Sequence, residues 1–218
     1  MPERKGLFIT LEGADGSGKS TQAQRIAEDY RERGHQVLVT HEPGGTRIGE
    51  RIRDILLDPE LEEMCPLTEL FLFLASRAQH TSERIKPALD NGATVISSRY
   101  ADATEVYQGI VRGVLPIDEV RRLNDIATEG LKPDKTLVFD VHPETGLPRA
   151  KQNSKARVPN GEGDRFEQAG EEFQHQVREG YMRLAKENPE RIEVIEQGDL
   201  DETTNTAFGI LHQMERED

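Results

Sequence analysis

Cysteine, long hydrophobic runs and a leader segment are absent or nearly absent from this chain. A single cysteine, Cys65, among 218 residues excludes an intramolecular disulfide framework and suits a reducing cytoplasm. No apolar run approaches the ~20 residues that a membrane-spanning helix needs. Residues 1–6 lead directly into an apolar segment, so we expect no signal peptide. These absences predict a cytoplasmic protein without a membrane partner.

Positive charge is also scarce. The chain carries 28 lysines and arginines against 41 aspartates and glutamates, which gives a net charge of −13. This balance argues against a nucleic-acid polymer as partner, because binding to a phosphate backbone needs a basic surface. The six histidines and one cysteine show no metal-ligand spacing, so no zinc site is predicted.

One octapeptide near the start of the chain matches the pattern G-x-x-x-x-G-K-S, which binds nucleotide phosphates. Its glycines allow a tight turn that brings backbone N–H groups close to phosphate oxygens. Its lysine supplies charge for the outer phosphates, its serine hydroxyl can ligate Mg²⁺, and the following helix points its positive end at the anion. The residues are Gly13, Ala14, Asp15, Gly16, Ser17, Gly18, Lys19 and Ser20, and Thr21 follows them. The alternative is a glycine-rich turn with an incidental lysine.

Apolar runs alternate with segments of helical periodicity along the chain. This alternation predicts a parallel, doubly wound α/β sheet in one domain over residues 1–218, because parallel connections need crossover helices. The predicted strands are residues 7–11, 36–40, 93–97, 135–141 and 191–195. The predicted helices are residues 20–33, 48–56, 67–89 with a break at Pro87, 103–111, 117–129, 166–186 and 201–216.

Arginines lie where an open α/β sheet binds ligands, at the carboxyl ends of its strands. Arg99 follows the third predicted strand, and Arg53 follows a Gly-Gly loop after the second. Residues 148–163 are polar and basic without apolar periodicity, which predicts a mobile loop; it contains Arg149 and Arg157. A lid carrying arginines would exclude water and favour phosphoryl transfer to an acceptor over hydrolysis.

Several segments occur in the order found in one enzyme family. Two of them are specific to that family, Glu-Pro-Gly-Gly-Thr at residues 42–46 and Phe-x-x-x-Arg-Ala-Gln at residues 73–79. The phosphate-binding octapeptide at residues 13–20, known as the P-loop, is shared by many families. The others are residues 11–21, 98–100, 107–109, 133–134 and 164–167. In these segments the chain resembles the thymidylate kinases, which use ATP to phosphorylate dTMP to dTDP in pyrimidine deoxynucleotide synthesis.

The resemblance implies a P-loop nucleoside monophosphate kinase fold. This fold has a five-stranded parallel sheet flanked by helices, with a mobile lid over roughly residues 148–165. The resemblance also implies ATP and dTMP as substrates, Mg²⁺ as the accompanying ion, and a homodimer. By analogy, the helices predicted over residues 67–89 and 103–111 would supply the apolar face of that dimer.

The side chains implied for dTMP hold its base, its sugar and its phosphate. Phe73 stacks on thymine, and Arg77, one helical turn on, hydrogen-bonds the base. Arg53 and Arg99 hold the acceptor phosphate. The other implied dTMP-binding residues are Asp15 at the 3′-hydroxyl, Tyr107 against the sugar, and Thr104 and Gln108 nearby. Taken alone, periodicity favours a core position for Phe73 and a solvated charge for Arg53.

Gly16 stands where some members of the family carry an arginine. Members without that arginine resemble the bacterial type, which places the catalytic arginine in the lid. The resemblance also implies that Arg149, at the start of the lid, contacts ATP. The implied catalytic residues are Lys19, Arg99 and a lid arginine, with Arg157 preferred over Arg165.

Ser98 departs from the family pattern, which usually has an aspartate there that helps to hold Mg²⁺ or its waters. A neutral serine is a weaker partner, because hard cations favour charged oxygens. Ser20 remains the implied metal ligand. Candidates for a compensating carboxylate are Glu12, Asp15, Asp140, Asp164 and Glu167.

Three other functions fit parts of the sequence. Another nucleoside monophosphate kinase would act on dUMP, UMP or CMP. A regulatory P-loop ATPase or GTPase would hydrolyse nucleotide without an acceptor, although the chain has no N-K-x-D guanine-binding motif. A catalytically inactive nucleotide-binding module would tolerate the serine at position 98.

Lysine accounts for only 8 of the basic residues, whereas arginine accounts for 20. An acidic, lysine-poor surface is typical of cytoplasmic proteins from high-salt organisms, in which salt screens the self-repulsion. The alternative is an ordinary acidic enzyme. A halophilic origin predicts that the free energy of unfolding, measured by urea denaturation, falls when molar salt is removed; an unchanged value would exclude it.

Overall fold

The computed structural model of the chain describes residues 6–154 and 164–217. At its centre is a five-stranded sheet in the order β2-β3-β1-β4-β5, in which every neighbouring pair of strands is parallel. The strands are β1 (Phe8–Glu12), β2 (Val37–His41), β3 (Thr94–Ser98), β4 (Lys135–Asp140) and β5 (Ile192–Glu196). The predicted α/β fold with five parallel strands is confirmed.

Helices connect the strands and cover both faces of the sheet. Two of the connections also contain π-helical segments, Thr81–Ile85 and Glu105–Val111. The α-helices are α1 (Lys19–Glu32), α2 (Arg47–Leu57), α3 (Pro66–His80), α4 (Lys86–Asp90), α5 (Ala101–Thr104), α6 (Ile117–Thr128), α7 (Pro143–Ser154), α8 (Arg165–Gln168), α9 (Gly170–Glu187) and α10 (Leu200–Glu217). No helix within residues 6–154 and 164–217 is long and apolar enough to cross a membrane.

The core lies on both sides of β1 and β4, because these strands are nearly continuous apolar runs. On one face, Leu11 and Phe139 pack with Ile26 of α1 and with α10. On the other face, Val138 packs with α9. Because both faces of the sheet are covered, a ligand is expected to bind at its carboxyl edge. The expected place is next to β1, where the connections that follow neighbouring strands run in opposite directions.

The structure differs from the helix predictions at two places. Pro87 does not break the helix after α3, because the π-helical segment widens the helix just before it, with the Lys86 N–H donating to the Thr81 carbonyl. The helix predicted over residues 103–111 is α-helical only to Thr104 and π-helical from Glu105. Periodicity alone does not separate these two forms.

The predicted loop over residues 148–163 is wrong in its first part. Helix α7 extends to Ser154 and includes Pro148, so the polar and basic composition that predicted a loop belongs here to a helix. Residues 155–163, which include Arg157, lie outside the described part of the chain. The lid and the single-domain organisation stay predictions.

Candidate active site

A cleft of about 1750 Å³ opens at the carboxyl edge of the sheet. Its size exceeds the ~300–1,000 Å³ of a site for one small ligand, so it has room for two nucleotides. Most of the side chains predicted for the site line this cleft. They are Asp15, Gly16, Ser17, Gly18, Lys19, Ser20, Thr21, Arg53, Phe73, Arg99, Thr104, Tyr107, Gln108 and Arg149.

The loop between β1 and α1 requires glycine for both its backbone and its packing. Gly13, Gly16 and Gly18 have φ values of 131°, 75° and 85°, which side-chain-bearing residues rarely adopt. A Cβ at Gly16 would lie 2.0 Å from the carbonyl oxygen of Gly146 in α7. The loop therefore has no space for the arginine that some family members carry at this position.

Lys19, the first residue of α1, folds back into the loop that precedes it. Its Nζ donates hydrogen bonds to the carbonyl oxygens of Gly13 (3.1 Å) and Ala14 (2.7 Å) and to Ser17 Oγ (3.1 Å). Burial lowers the pKa of Lys19 to about 7, and the nearby charge of Arg99 adds to the effect. An anion bound at this ammonium would offset both the cost of its burial and its repulsion by Arg99.

Arg99 brings three elements of the site together. It follows β3, and its Nη2 donates to Asp15 Oδ1 at 2.5 Å and to the Tyr107 hydroxyl at 3.3 Å. Burial opposes the ionisation of Asp15, but the positive charges of Arg99 and Lys19 outweigh it and lower the pKa of Asp15. Gln174 of α9 donates to the other oxygen of that carboxylate at 3.3 Å. As a result, the Arg99 guanidinium is fixed beside the loop between β1 and α1, residues 13–18, which we call the phosphate-binding loop.

Aromatic rings and a few polar side chains line another part of the cleft wall. The Phe73 and Tyr107 rings each meet the Phe166 ring edge to face, with centroids 5.8 Å apart. Thr104 and Gln108 are both 1% exposed as residues and lie in the same wall. Gln108 Nε2 donates to Glu69 Oε1 at 3.0 Å. A flat apolar face beside a few fixed polar groups suits a heterocyclic base.

Arg77 lies behind the wall of the cleft and is 1% exposed. Its Nη1 donates to Thr104 Oγ1 (2.8 Å) and to Asn124 Oδ1 (2.7 Å), while Nε donates to Glu42 Oε2 (2.8 Å). In this structure Arg77 fixes the orientation of Thr104. The hydrogen bond from Arg77 to the base stays a prediction.

The remaining predicted arginines differ in where they lie. Arg53 lines the cleft and donates to the Pro43 carbonyl at 2.8 Å, and Arg149 donates to Gln197 Oε1 at 3.0 Å. Arg165 does not line the cleft; its Nη2 lies 3.3 Å from Glu69 Oε2, of the carboxylate that Gln108 also contacts, and Nη1 donates to the Leu56 carbonyl. The geometry therefore does not bring Arg165 to the phosphate-binding loop.

The candidate Mg²⁺ carboxylates separate into two groups. Asp164 and Glu167 line the cleft and form a capping box at the start of α8. Burial raises the pKa of Asp164, and the negative charge of Asp15 adds to the rise. Asp140 is paired with Arg178 at 2.5 and 2.7 Å, and Glu12 is fully buried beneath the cleft, so neither lines it.

The sequence patterns did not single out several polar side chains that support this site. Glu69, Gln174 and Tyr181 are each 1% exposed and hydrogen-bond to residues of the site or to its neighbours. Gln174 and Tyr181 lie two turns apart on α9, so they share a helix face. That spacing was the only signal for them in the sequence.

Comparisons with known proteins agree on one family. The family model described as thymidylate kinase matches residues 11–206. The thymidylate kinase of Desulfosudis oleivorans is 50% identical over 190 residues, covering 87% of this chain and 88% of its own. That of Syntrophotalea carbinolica is 46% identical over 203 residues, covering 93% of each chain.

A solved structure gives the same result. The crystal structure of thymidylate kinase from Ehrlichia chaffeensis superposes with a TM-score of 0.75 at 31% sequence identity, covering 94% of this chain and 98% of that one. The sequence and structural matches both span nearly the whole chain. The chain belongs to the thymidylate kinase family.

Proposed function

We propose that this protein transfers the γ-phosphoryl group of ATP to dTMP and releases ADP and dTDP. A phosphate oxygen of dTMP forms the new bond to the γ-phosphorus, and the bond from that phosphorus to the β–γ bridging oxygen breaks, leaving its electron pair on ADP. The single observation that carries the proposal is one cleft lined by both a phosphate-binding loop and an aromatic pocket, with Arg99 hydrogen-bonded to Asp15 of the loop and to Tyr107 of the pocket.

The donor half of the cleft consists of the phosphate-binding loop and α1. Backbone N–H groups of residues 13–18 and the Lys19 ammonium suit the β- and γ-phosphates. The fit of Lys19 is supported by its lowered pKa, because a phosphate would stabilise its charged form. Arg149 and its partner Gln197 close the same end of the cleft.

The acceptor half combines Phe73, Tyr107, Gln108 and two arginines. Phe73 offers a ring face for thymine, and the Tyr107 ring would pack against the sugar and favour deoxyribose. Arg53 and Arg99 both line the cleft, and guanidinium groups bind phosphate oxygens in pairs. This arrangement would hold the acceptor phosphate in line with the γ-phosphate.

Mg²⁺ fits the residues of the cleft. The Ser20 hydroxyl and the carboxylates of Asp15, Asp164 and Glu167, which all line the cleft, offer the hard oxygen donors that Mg²⁺ prefers. Ser98, 8% exposed, lines the cleft without adding charge. When bound, Mg²⁺ supplies charge neutralisation for the outer phosphates of ATP.

Catalysis requires positioning and charge neutralisation, with no general base, because a monophosphate is already a competent nucleophile. Lys19 and Arg99 hold the reacting groups and balance the charge that spreads over the transferring phosphoryl. A further cation from residues 148–165 would complete this set, and the resemblance favours Arg157. Arg165 is not proposed for this role, because it pairs with Glu69.

We further propose that the protein is a cytoplasmic homodimer. Ile48 and Ile55 of α2 and Leu67 and Phe71 of α3 are 41–51% exposed, and α2 packs against α3. A cluster of exposed apolar side chains favours a protein interface. The other helix expected to supply this face, residues 103–111, buries Val106 and Tyr107, so the proposal is argued from α2 and α3. The free thiol of Cys65 suits a reducing compartment.

The acceptor is identified by measuring ADP release with ATP and each of dTMP, dUMP, UMP and CMP. We expect the highest kcat/KM for dTMP and no ADP release without an acceptor. Lys19→Ala should keep the fold and lower kcat about 10²–10³-fold, the typical effect of removing one transition-state contact. Phe73→Ala should raise the KM for dTMP about tenfold and leave the KM for ATP nearly unchanged, because base stacking is worth ~1–3 kcal/mol. Hydrolysis without an acceptor would favour the ATPase alternative.

Binding of ADP should take up protons at pH 8. Lys19, with a pKa of about 7, is mostly neutral there, and the phosphates favour its charged form. The uptake should diminish below pH 7, where the ammonium is already charged. Titration calorimetry in two buffers of different ionisation enthalpy measures it, and equal heats would contradict it. Lys19→Arg keeps the charge but stays protonated throughout, so uptake that persists there belongs to another group.

The dimer is tested by sedimentation velocity. We expect the wild-type chain to sediment as a dimer and Phe71→Glu to sediment as a monomer, because the substitution places a charge in the apolar cluster. Val194→Glu is the matched control, since Val194 is 36% exposed on the edge strand β5. A wild-type monomer, or an unchanged Phe71→Glu dimer, would show that this face is not the interface.

A further inference from the structure

Glu12 is a buried carboxylate that the proposed chemistry does not use. It is the last residue of β1, is 0% exposed, and does not line the cleft. Oε1 accepts a hydrogen bond from the Tyr100 N–H at 2.7 Å, and Oε2 accepts one from the Tyr181 hydroxyl at 2.7 Å. Both donors are neutral. A carboxylate buried on neutral donors is an expensive arrangement, which calls for a reason other than stability.

Tyr100, whose N–H donates to Glu12, directly follows Arg99 in the chain. The backbone conformation of Arg99 is unusual. Arg99 has a φ of 69°, in the left-handed region, and this conformation costs free energy for any residue that carries a Cβ. Such a conformation persists only where its surroundings fix it. Here the Arg99 N–H donates to the Leu11 carbonyl at 2.9 Å, and Ser97 Oγ donates to the Arg99 carbonyl at 2.8 Å.

Glu12 completes this set of hydrogen bonds from the far side of the Arg99–Tyr100 peptide. The Tyr100 carbonyl accepts from Arg77 Nη2 at 2.8 Å, and the Tyr100 ring packs edge to face on Phe8 with centroids 4.9 Å apart. Arg99 thus leaves β3 in a single direction, which brings its guanidinium to Asp15 at the phosphate-binding loop. Tyr181, from α9, holds the second oxygen of Glu12 and so prevents the carboxylate from turning.

We propose that Glu12 and Tyr181 act as a positioning pair that holds Arg99 in its phosphate-binding conformation. Neither residue touches a substrate. The proposal rests on the proposed function in one respect, namely that Arg99 binds the phosphate of the acceptor. Its consequence is selective, because losing the pair should impair use of the acceptor and leave the binding of ATP nearly unchanged.

Three variants separate positioning from general stability. Glu12→Leu keeps the volume but removes both acceptors, so we expect kcat/KM for dTMP to fall at least about twentyfold while the KM for ATP stays within about twofold. Glu12→Gln keeps a carbonyl oxygen for the Tyr100 N–H and should recover most of that loss. Tyr181→Phe should give an intermediate loss. Tyr30→Phe, another tyrosine that is 1% exposed but lies on α1 away from the cleft, is the matched control and should behave as wild type.

A double-mutant cycle with Arg99→Ala tests whether the effect passes through Arg99. In the Arg99→Ala background, Glu12→Leu should lower kcat/KM by less than about twofold, because the side chain that it positions is already gone. Equal losses in both backgrounds, or a loss that falls equally on ATP, would overturn the proposal. If Glu12→Leu does not fold, the same cycle is run with Tyr181→Phe, which removes only a hydroxyl.

This outcome is distinct from a failure of the proposed function. A wild-type protein that did not phosphorylate dTMP would refute the assigned acceptor before any variant was made. The cycle would then be run with whichever monophosphate the substrate panel identifies, because every such acceptor presents a phosphate to Arg99. Non-additive losses would again support the pair, and additive losses would again overturn it.

Discussion

Two cations, Lys19 and Arg99, are held near each other in a largely buried cleft, and much of the surrounding structure offsets their repulsion. The charge of Arg99 helps to lower the pKa of Lys19, and burial of both groups adds to the cost. The offset comes from carbonyl oxygens around Lys19 and from the Asp15 carboxylate on Arg99. An acidic protein thus builds a local positive field where phosphates are to bind.

Under the proposed function, substrate oxygens would replace these internal partners. The bonds that Lys19 makes to the loop carbonyls are of the kind that phosphate oxygens can take over, and the same holds for the Arg99–Asp15 pair. Each nucleotide would replace a neutral or singly charged oxygen by a more strongly charged one. Because both cationic groups are already in position in the buried cleft, the electrostatic contacts to a bound substrate are strong and need no rearrangement of the site. Such preorganisation is how phosphoryl transfer is accelerated.

Residues with a local signal could be predicted from the sequence. The phosphate-binding loop, the five strands and the position of Arg99 at the end of β3 follow from glycine spacing, apolar runs and the carboxyl-edge rule. Arg77 and Arg165 show the limit. Their segments match the family, but whether each guanidinium faces the cleft depends on Glu42 and Glu69, which are distant in the chain. The same applies to Glu12 and Tyr181, which are 169 positions apart.

The end of helix α7 was misjudged because a polar, basic composition without apolar periodicity resembles that of a loop. Its backbone at Gly146 presses against Gly16, and that contact has a wider consequence. Any side chain at position 16 would displace α7 from the loop. In this chain, a single residue change therefore cannot add a cation to the phosphate-binding loop while α7 stays where it is. Changing where the cation comes from would require the helix and the loop to change together.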